Sequence, residues 1–319
     1  MHRTPYVILN DEDRIVIVPL GRPREDESVP IERRYTMAMT RLAIKFDNAH
    51  HRAEHVLTGG RRGNFGAISV GTSFGGSQKA LCALSVKGIT AVIAKELMED
   101  KDAQHLAGFG PFGLASYFPK VHSHMVNILD ELYKRIPSLK KVFPNSEYPA
   151  CTFNLGPDTV CCLHNNCGNS PGIPCVVGAL GDFDADRGGN FVVWDLMLCI
   201  RFPAASSIAV PSAGVGHCNT EIQPGEKRLS LTQYFAGGIM RWASRGFRLS
   251  RFLSAAEKDE LDGGHEYQWA SQLSRFSRFK NLRADREQSV QWEAECHAHR
   301  SRVYGWWGSR AMSQMSYLS

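Results

Sequence analysis

Residues 150–235 read ACTFNLGPDTVCCLHNNCGNSPGIPCVVGALGDFDADRGGNFVVWDLMLCIRFPAASSIAVPSAGVGHCNTEIQPGEKRLSLTQYF. Short β-rich runs alternate here with turn residues at a spacing of about 8–12 residues, which is typical of an antiparallel sandwich or jelly roll. Eight strands are predicted, near residues 150–154, 159–164, 174–180, 190–194, 197–202, 207–210, 214–219 and 228–235. The stretch therefore predicts an α+β protein whose core, about residues 150–236, is a jelly roll of the double-stranded β-helix kind.

The chain before this stretch predicts a β-hairpin followed by helices. Tyr6–Leu9 and Ile15–Val18 are two β-rich runs separated by an acidic turn. Pro30 fits the first turn of a helix, and further helices are predicted at residues 89–100 and about 113–135.

Three parts are predicted along the chain. Residues 1–58 carry the hairpin and a helix, and residues 59–250 form the core. Residues 251–319 are a polar extension that is helical in pieces and ends in a loose tail, residues 301–319.

The composition excludes several classes of protein. The chain is 43% hydrophobic and 22% charged, as is ordinary for a globular protein. No apolar run approaches the roughly 18 residues of a membrane span, and the polar residues Asn10–Asp13 interrupt any signal-peptide layout. We therefore expect an intracellular protein without a membrane partner, whose nine cysteines are reduced thiols. The net charge of +5 permits a polyanionic partner but does not require one, and the oligomeric state is not predicted.

Two other kinds of site are disfavoured by their spacing. The glycine-rich residues 59–76 contain neither GxxxxGK[ST] nor GxGxxG, so tight turns around a short strand at residues 67–70 are favoured over a phosphate-binding loop. Cys162 and Cys167 resemble half of a zinc site, but no second pair of this kind follows.

Three polar residues interrupt the predicted jelly-roll strands at an informative spacing. His164 ends one strand, His217 follows 53 residues later, and Arg228 begins the last strand after another 11 residues. A jelly roll can bring the two histidine strands side by side, and a pair of imidazoles suits Fe(II). The planar fork of an arginine suits a carboxylate, such as the far carboxylate of 2-oxoglutarate. The spacing therefore predicts an iron and 2-oxoglutarate site.

The same stretch resembles a known family. CTFNLGPDTVCCLHNN (151–166) and GALGDFDADRGGNFVVWDLMLCIRFPAASSIAVPSAGVGHCNTEIQPGEKRLSLTQYFAGGIMRW (178–242) are similar to the fungal branch of the TET/JBP oxygenases. The similarity covers about residues 1–250 and includes YVILNDEDRIVIV (6–18) and GAISVGTSFGG (66–76). It implies an iron(II)/2-oxoglutarate-dependent dioxygenase that oxidises a methylated base, notably 5-methylcytosine, in DNA.

The resemblance also implies roles for individual residues. His164 and His217 would be iron ligands, and Arg228, assisted by Ser230, would hold the far carboxylate of 2-oxoglutarate. The substrate base would flip out of the duplex to reach the site. A nuclear location is implied as well, although no clear import cluster is present.

One residue departs from the pattern of the family. The family expects His-x-Asp, whereas this chain has His164-Asn165-Asn166, so the neutral Asn166 takes the place of the carboxylate ligand. The loss of charge should weaken iron binding. Three interpretations remain open: an inactive, degenerate copy; weak activity with an Asn or water ligand; or substitution by another carboxylate, such as Asp182 or Asp184.

Two other functions compete with the oxygenase interpretation. One is a non-catalytic jelly-roll module that binds nucleic acid or protein, and the other is a jelly-roll hydrolase or isomerase with a different metal. Asn219 and Gln233 are candidates to orient ligands or a base, or else to satisfy backbone groups. Candidates for nucleic-acid contact, for each of which a solvated surface charge is the favoured interpretation, are Arg61, Arg62, Arg245, Arg248 and Arg251.

Overall fold

The computed structural model describes residues 4–22, 33–57, 59–60, 62–75, 78–263 and 265–304. The described chain is a mixed α and β structure with a large antiparallel sheet and eight α-helices. The strands are β1 (Ile8–Leu9), β2 (Ile15–Gly21), β3 (Gly66–Ser73), β4 (Cys82–Ala83), β5 (Ala150–Gly156), β6 (Cys175–Asp182), β7 (Phe191–Val193), β8 (Leu198–Ile200), β9 (Ser207–Val210), β10 (His217–Asn219) and β11 (Lys227–Tyr234). The helices are α1 (Arg33–Ala53), α2 (Gly88–Glu99), α3 (Lys101–Tyr117), α4 (Pro119–Arg135), α5 (Gly237–Ser244), α6 (Ala255–Asp262), α7 (His265–Ser274) and α8 (Leu282–Tyr304).

Eight strands form the large sheet in the order β1-β2-β9-β6-β11-β5-β3-β4, and three form a small sheet in the order β10-β7-β8. All of these pairings are antiparallel. The expected N-terminal hairpin is present as β1 and β2, and β2 continues into the large sheet by pairing with β9.

Side-chain alternation gives the large sheet two different faces. Leu229 and Leu231 of β11 pack in a core with α1, α2 and α3. Ala179 of β6 and Ile208 of β9 point the other way, into a second core that they share with Phe191 of the small sheet. Helices therefore cover one face, and the small sheet packs on the other.

The predicted strand at residues 159–164 is wrong. β5 ends at Gly156, and the following segment makes backbone hydrogen bonds to several different partners rather than to one strand. The Cys162 N–H donates to the Arg62 carbonyl, the Asn166 N–H donates to the Ser212 carbonyl, and only His164 pairs directly with the backbone of His217. This segment crosses between the two sheets, so no single partner is available to continue a ladder.

The helix predicted at about residues 113–135 is two helices. α3 ends at Tyr117, and α4 begins at Pro119, because proline lacks the N–H that would continue α3 but suits the first turn of a helix. α3 itself starts at Lys101, where the Asp100 side chain accepts hydrogen bonds from the first backbone N–H groups of the helix.

In its described part, the C-terminal extension contains three α-helices, α6, α7 and α8. Residues 301–304 of the predicted loose tail belong to α8, and residues 305–319 lie outside the described part of the chain. Among the described helices, none combines the length and the apolar character that a membrane crossing demands.

A largely buried histidine links α8 to the rest of the protein. His122 on α4 lies 3.2 Å from the Glu293 carboxylate on α8 and 3.9 Å from the Glu147 carboxylate, which precedes β5. Burial disfavours the charged imidazole, but the hydrogen bonds to Glu147 and Glu293 outweigh it and raise the pKa of His122 to about 9. The histidine is therefore charged in the folded protein at neutral pH.

We expect this contact to make the stability of the folded protein decrease as the pH rises into the alkaline range. Because the folded-state pKa of His122 lies above its ordinary value of 6.5, its contribution is complete below that value and is lost as the pH rises through about 9. Urea denaturation should show that His122→Gln lowers the free energy of unfolding by about 1–3 kcal/mol near neutral pH and by less at higher pH. The exposed His51→Gln is the control, and an equal loss at all pH values would contradict the assignment.

Candidate metal and dicarboxylate site

His164 and His217 meet where the crossing segment reaches β10. Their backbones exchange two hydrogen bonds, of 3.1 and 3.0 Å, and their ring centroids lie 4.4 Å apart with the planes inclined at 51°. Phe191 of β7 stacks on the His217 ring at 5.5 Å and holds its orientation. The structure thus brings together two histidines that are 53 residues apart in the chain.

Backbone carbonyls fix the same tautomer in both imidazoles. Nδ1 of His164 lies 2.7 Å from the Cys162 carbonyl oxygen, and Nδ1 of His217 lies 2.9 Å from that of Val215. Since a carbonyl only accepts, each Nδ1 carries the proton, and Nε2 of the neutral ring is left with its lone pair. Metal-binding histidines are typically held in this way.

Burial also keeps His217 uncharged. It lowers the pKa of His217 to about 4, and the nearby His164 and Arg62 act in the same direction. A neutral imidazole is the form that binds a metal ion.

Asn166 occupies the third position of the predicted metal site. Its backbone N–H donates to the Ser212 carbonyl, and its side-chain amide nitrogen lies 3.4 Å from Nε2 of His217. The amide therefore donates to the lone pair that a metal ion would need, where an aspartate would offer only oxygen. A metal ion would bind only after the amide rotated to present its oxygen.

Arg228 lies deep in the site and is 1% exposed. Its Nη1 donates to the Thr159 carbonyl at 2.5 Å, while its Nε is buried without a hydrogen-bond partner. The rings of Phe183 and Phe202 lie 5.9 and 5.8 Å from the guanidinium carbon. Burial lowers the pKa of Arg228 to about 10, so the group remains a cation at neutral pH. Asp158 acts electrostatically on Arg228, but no carboxylate of the described residues forms an ion pair with it. A buried cation without such a partner is costly, and the unbonded Nε calls for an anionic ligand.

Alternation along β11 places a row of polar side chains beside Arg228. Ser230 and Thr232 share its face, and Ser230 Oγ accepts a 2.8 Å hydrogen bond from the Asn154 amide on β5. The Oδ1 of Asn154 is buried without a partner. These groups can receive the polar end of a ligand, and the sequence interpretation missed Asn154 and Thr232. Counting every second residue of β11 from Arg228 identifies Thr232. Asn154 could have been identified as the one polar, amide-bearing residue in the strand sequence CTFNLG.

Two adjoining cavities connect these residues. The inner cavity has a volume of about 30 Å³ and is lined by His164, Asn166, His217, Arg228 and Ser230, among others. The outer cavity, of about 240 Å³, shares Arg62, Asn166 and Thr232 with it. A larger cavity of about 580 Å³ lies between α3, α4 and α8 and contains none of the predicted site residues.

Of the four other candidate residues, the structure places only Asn219 at this site. Gln233 faces the helices, where it contacts the Ala107 carbonyl and the Ser146 hydroxyl, because it lies on the opposite face of β11 from Arg228. Asn219 does line the inner cavity. Asp182 and Asp184 are exposed and line neither cavity, so no geometry supports their replacing the missing carboxylate.

The basic candidates for nucleic-acid contact have local partners or lie elsewhere. Arg248 pairs with Glu257 at 3.2 Å, Arg251 stacks on Phe252, and Arg245 donates to the Ser250 hydroxyl. Arg61 lies outside the described residues, and Arg62 lines both cavities.

The donor set fits a weak metal site. Within the described ranges, no three His, Cys, Asp or Glu side chains cluster as a metal centre would require, since the third residue here is an amide. The eight cysteines that the structure describes are free thiols. Two imidazoles with protonated Nδ1 atoms and, after rotation of the Asn166 amide, a neutral oxygen donor can hold a divalent ion, but less tightly than a set with a carboxylate.

No model of a known protein family matches the chain, and no curated protein matches it. Among solved structures, the chain is similar to NgTET1 in complex with 5mC DNA, with 12% sequence identity and a TM-score of 0.43. The match covers 74% of this chain and 78% of that one. A similarity at this level carries no functional inference.

Proposed function

We propose that this chain is an iron(II)/2-oxoglutarate-dependent dioxygenase-like protein, built on a double-stranded β-helix, whose catalytic activity is weakened or lost. The observation that carries the proposal is the joint geometry of the site. Two imidazoles with protonated Nδ1 atoms line one cavity with a fully buried arginine whose Nε has no hydrogen-bond partner. In the proposed fold, the large and small sheets are the two walls of the β-helix, and the site lies between them.

His164, His217 and Asn166 would hold the metal ion, and Arg228 and Ser230 would hold the far carboxylate of 2-oxoglutarate. The bound iron and cosubstrate would supply the activation of oxygen for oxidation of a substrate C–H bond. The chain itself orients both imidazoles through backbone carbonyls and excludes water from the guanidinium of Arg228. The amide of Asn166 opposes metal binding by donating to His217.

The proposed substrate is a methylated base in DNA, 5-methylcytosine or a similar base. This part of the proposal is supported by the resemblance of residues 1–250 to the TET/JBP oxygenases and by the positive net charge of +5. The base would have to leave the duplex, since the inner cavity is too narrow for paired DNA. A nuclear location follows from the same substrate.

A non-catalytic binding module is the second candidate function, and the Asn166 amide favours it. An amide that donates to the His217 lone pair closes the metal position in the absence of a ligand. Such a protein would still bind a dicarboxylate or a nucleic acid but would not turn them over.

One assay separates the two candidates. Purified protein is incubated with Fe(II), 2-oxoglutarate, ascorbate and DNA that contains 5-methylcytosine, and both succinate and oxidised bases are measured. The weakened enzyme should give succinate above a His164→Ala, His217→Ala control, whereas the binding module should give none while still binding 2-oxoglutarate by calorimetry. Absence of both turnover and 2-oxoglutarate binding, with zinc or manganese in the purified protein, would contradict the proposal and favour a different metal enzyme.

A further inference from the structure

Positive charge dominates the two adjoining cavities. Arg228 and Arg62 both line the inner cavity, and in the part of the chain that the structure describes no aspartate or glutamate lines either cavity. Since the metal position carries an amide rather than a carboxylate, nothing among these lining residues offsets the two guanidinium groups. As it stands, the site is suited to an anion more than to a cation.

Both guanidinium groups are available to a ligand. The Nε of Arg228 is buried and makes no hydrogen bond. Arg62 is half-buried, and its side chain makes no hydrogen bond or ion pair with any described residue. It lines both cavities, so its charge lies where a ligand would bind.

We infer that this site binds a dicarboxylate ion without a metal ion, with one carboxylate on Arg228 and the other toward Arg62, and that a divalent metal binds well only after the acid. The inference rests on the proposed function, because it concerns the same site, and it adds the order of binding. The acid supplies the negative charge that Asn166 does not.

The cavities favour an acid with two carboxylate groups. The inner cavity, of about 30 Å³, admits a carboxylate group at Arg228 but not a whole five-carbon acid. The rest of the molecule must extend toward the outer cavity of about 240 Å³, and Arg62 lines both cavities. A monocarboxylate would leave one of the two guanidinium groups without an anion.

Thermodynamic reciprocity makes this order measurable. If the acid raises the affinity of the metal, the metal must raise the affinity of the acid by the same factor. With a charged carboxylate in place of Asn166, the metal would not need the acid, and the coupling should shrink.

The first experiment is calorimetry of the full chain in excess EDTA with 2-oxoglutarate, succinate and pentanoate. We expect both dicarboxylates to bind and pentanoate to bind at least about tenfold more weakly. Arg62→Met should weaken the binding of 2-oxoglutarate by about tenfold or more, whereas Arg62→Lys should retain most of the affinity. Arg283→Met is the matched control, since the Arg283 side chain is 93% exposed on α8. Circular dichroism verifies that each variant is folded.

The second experiment measures Mn(II) binding by electron paramagnetic resonance with and without 2-oxoglutarate. We expect the acid to raise the affinity for Mn(II) at least about tenfold. Binding of the acid only when Mn(II) is present, or Mn(II) affinity that is independent of the acid, would overturn the inference while leaving the proposed function standing. No binding of the acid under either condition would overturn both.

Discussion

Arg228→Met is expected to weaken the binding of 2-oxoglutarate strongly while leaving the unliganded protein at least as stable as the wild type. Arg228 is a fully buried cation whose Nε has no hydrogen-bond partner, and methionine is an apolar side chain of roughly similar volume. Replacing a buried charge by a well-packed apolar residue is often neutral or stabilising, by about 1–4 kcal/mol. The hydrogen bond to the Thr159 carbonyl is lost, at a cost of about 1 kcal/mol, which offsets part of this gain.

The loss of affinity for 2-oxoglutarate should be larger than the change in stability. Removing one partner of a buried, hydrogen-bonded charge pair costs about 2–5 kcal/mol, so the dissociation constant should rise by roughly 30-fold to more than 1000-fold. Calorimetry with 2-oxoglutarate and thermal denaturation with and without the acid measure both quantities. Arg201→Met is the control, because Arg201 pairs with Asp186 at the surface. Unchanged affinity of Arg228→Met would remove Arg228 from the site, and a loss of stability without the acid would contradict the charge argument.

Asn166→Asp is expected to raise the affinity for divalent metal by at least about 10–100-fold, since even changes in the groups around metal ligands have effects of that size. The substitution replaces an N–H donor at 3.4 Å from Nε2 of His217 by a negatively charged acceptor. It also adds the carboxylate that completes a set of two histidines and one acid. As the affinity for the metal rises, formation of succinate from 2-oxoglutarate should appear or increase.

The neighbouring residue provides a matched control. Asn165→Asp adds the same charge one position earlier, on an exposed side chain, without changing the third ligand position. Mn(II) titration and the succinate assay should separate the two variants. If Asn165→Asp and Asn166→Asp bind Mn(II) equally, net charge alone explains the gain, and Asn166 is not at the metal position.

Strands could be predicted from the sequence where they pair continuously with neighbouring strands along their length. β6, β9 and β11 lie close to their predicted positions because alternating or wholly apolar runs reach a full partner on both sides. The segment at residues 159–164 contains β-rich residues but bonds in turn to β11, to a loop and to β10, so its local pattern could not distinguish a strand from a crossing segment.

The histidines and the arginine of the candidate site could be predicted from the sequence, but the polar residues that line it could not. His164, His217 and Arg228 stand out in apolar surroundings, and the structure brings them to one cavity. The position of Gln233 depends on which face of β11 meets the helices, and that is decided by strand pairing distant in the chain. The role of Arg62 depends on a contact between its backbone and Cys162, which has no signature in the sequence.

X-ray diffraction from crystals grown with Mn(II) and 2-oxoglutarate tests the central claim most directly, because the anomalous signal locates the metal. The account predicts one manganese peak within bonding distance of Nε2 of both His164 and His217, with the far carboxylate of the acid on the guanidinium of Arg228. Manganese bound elsewhere, or an acid that leaves Arg228 without an anion, would contradict it.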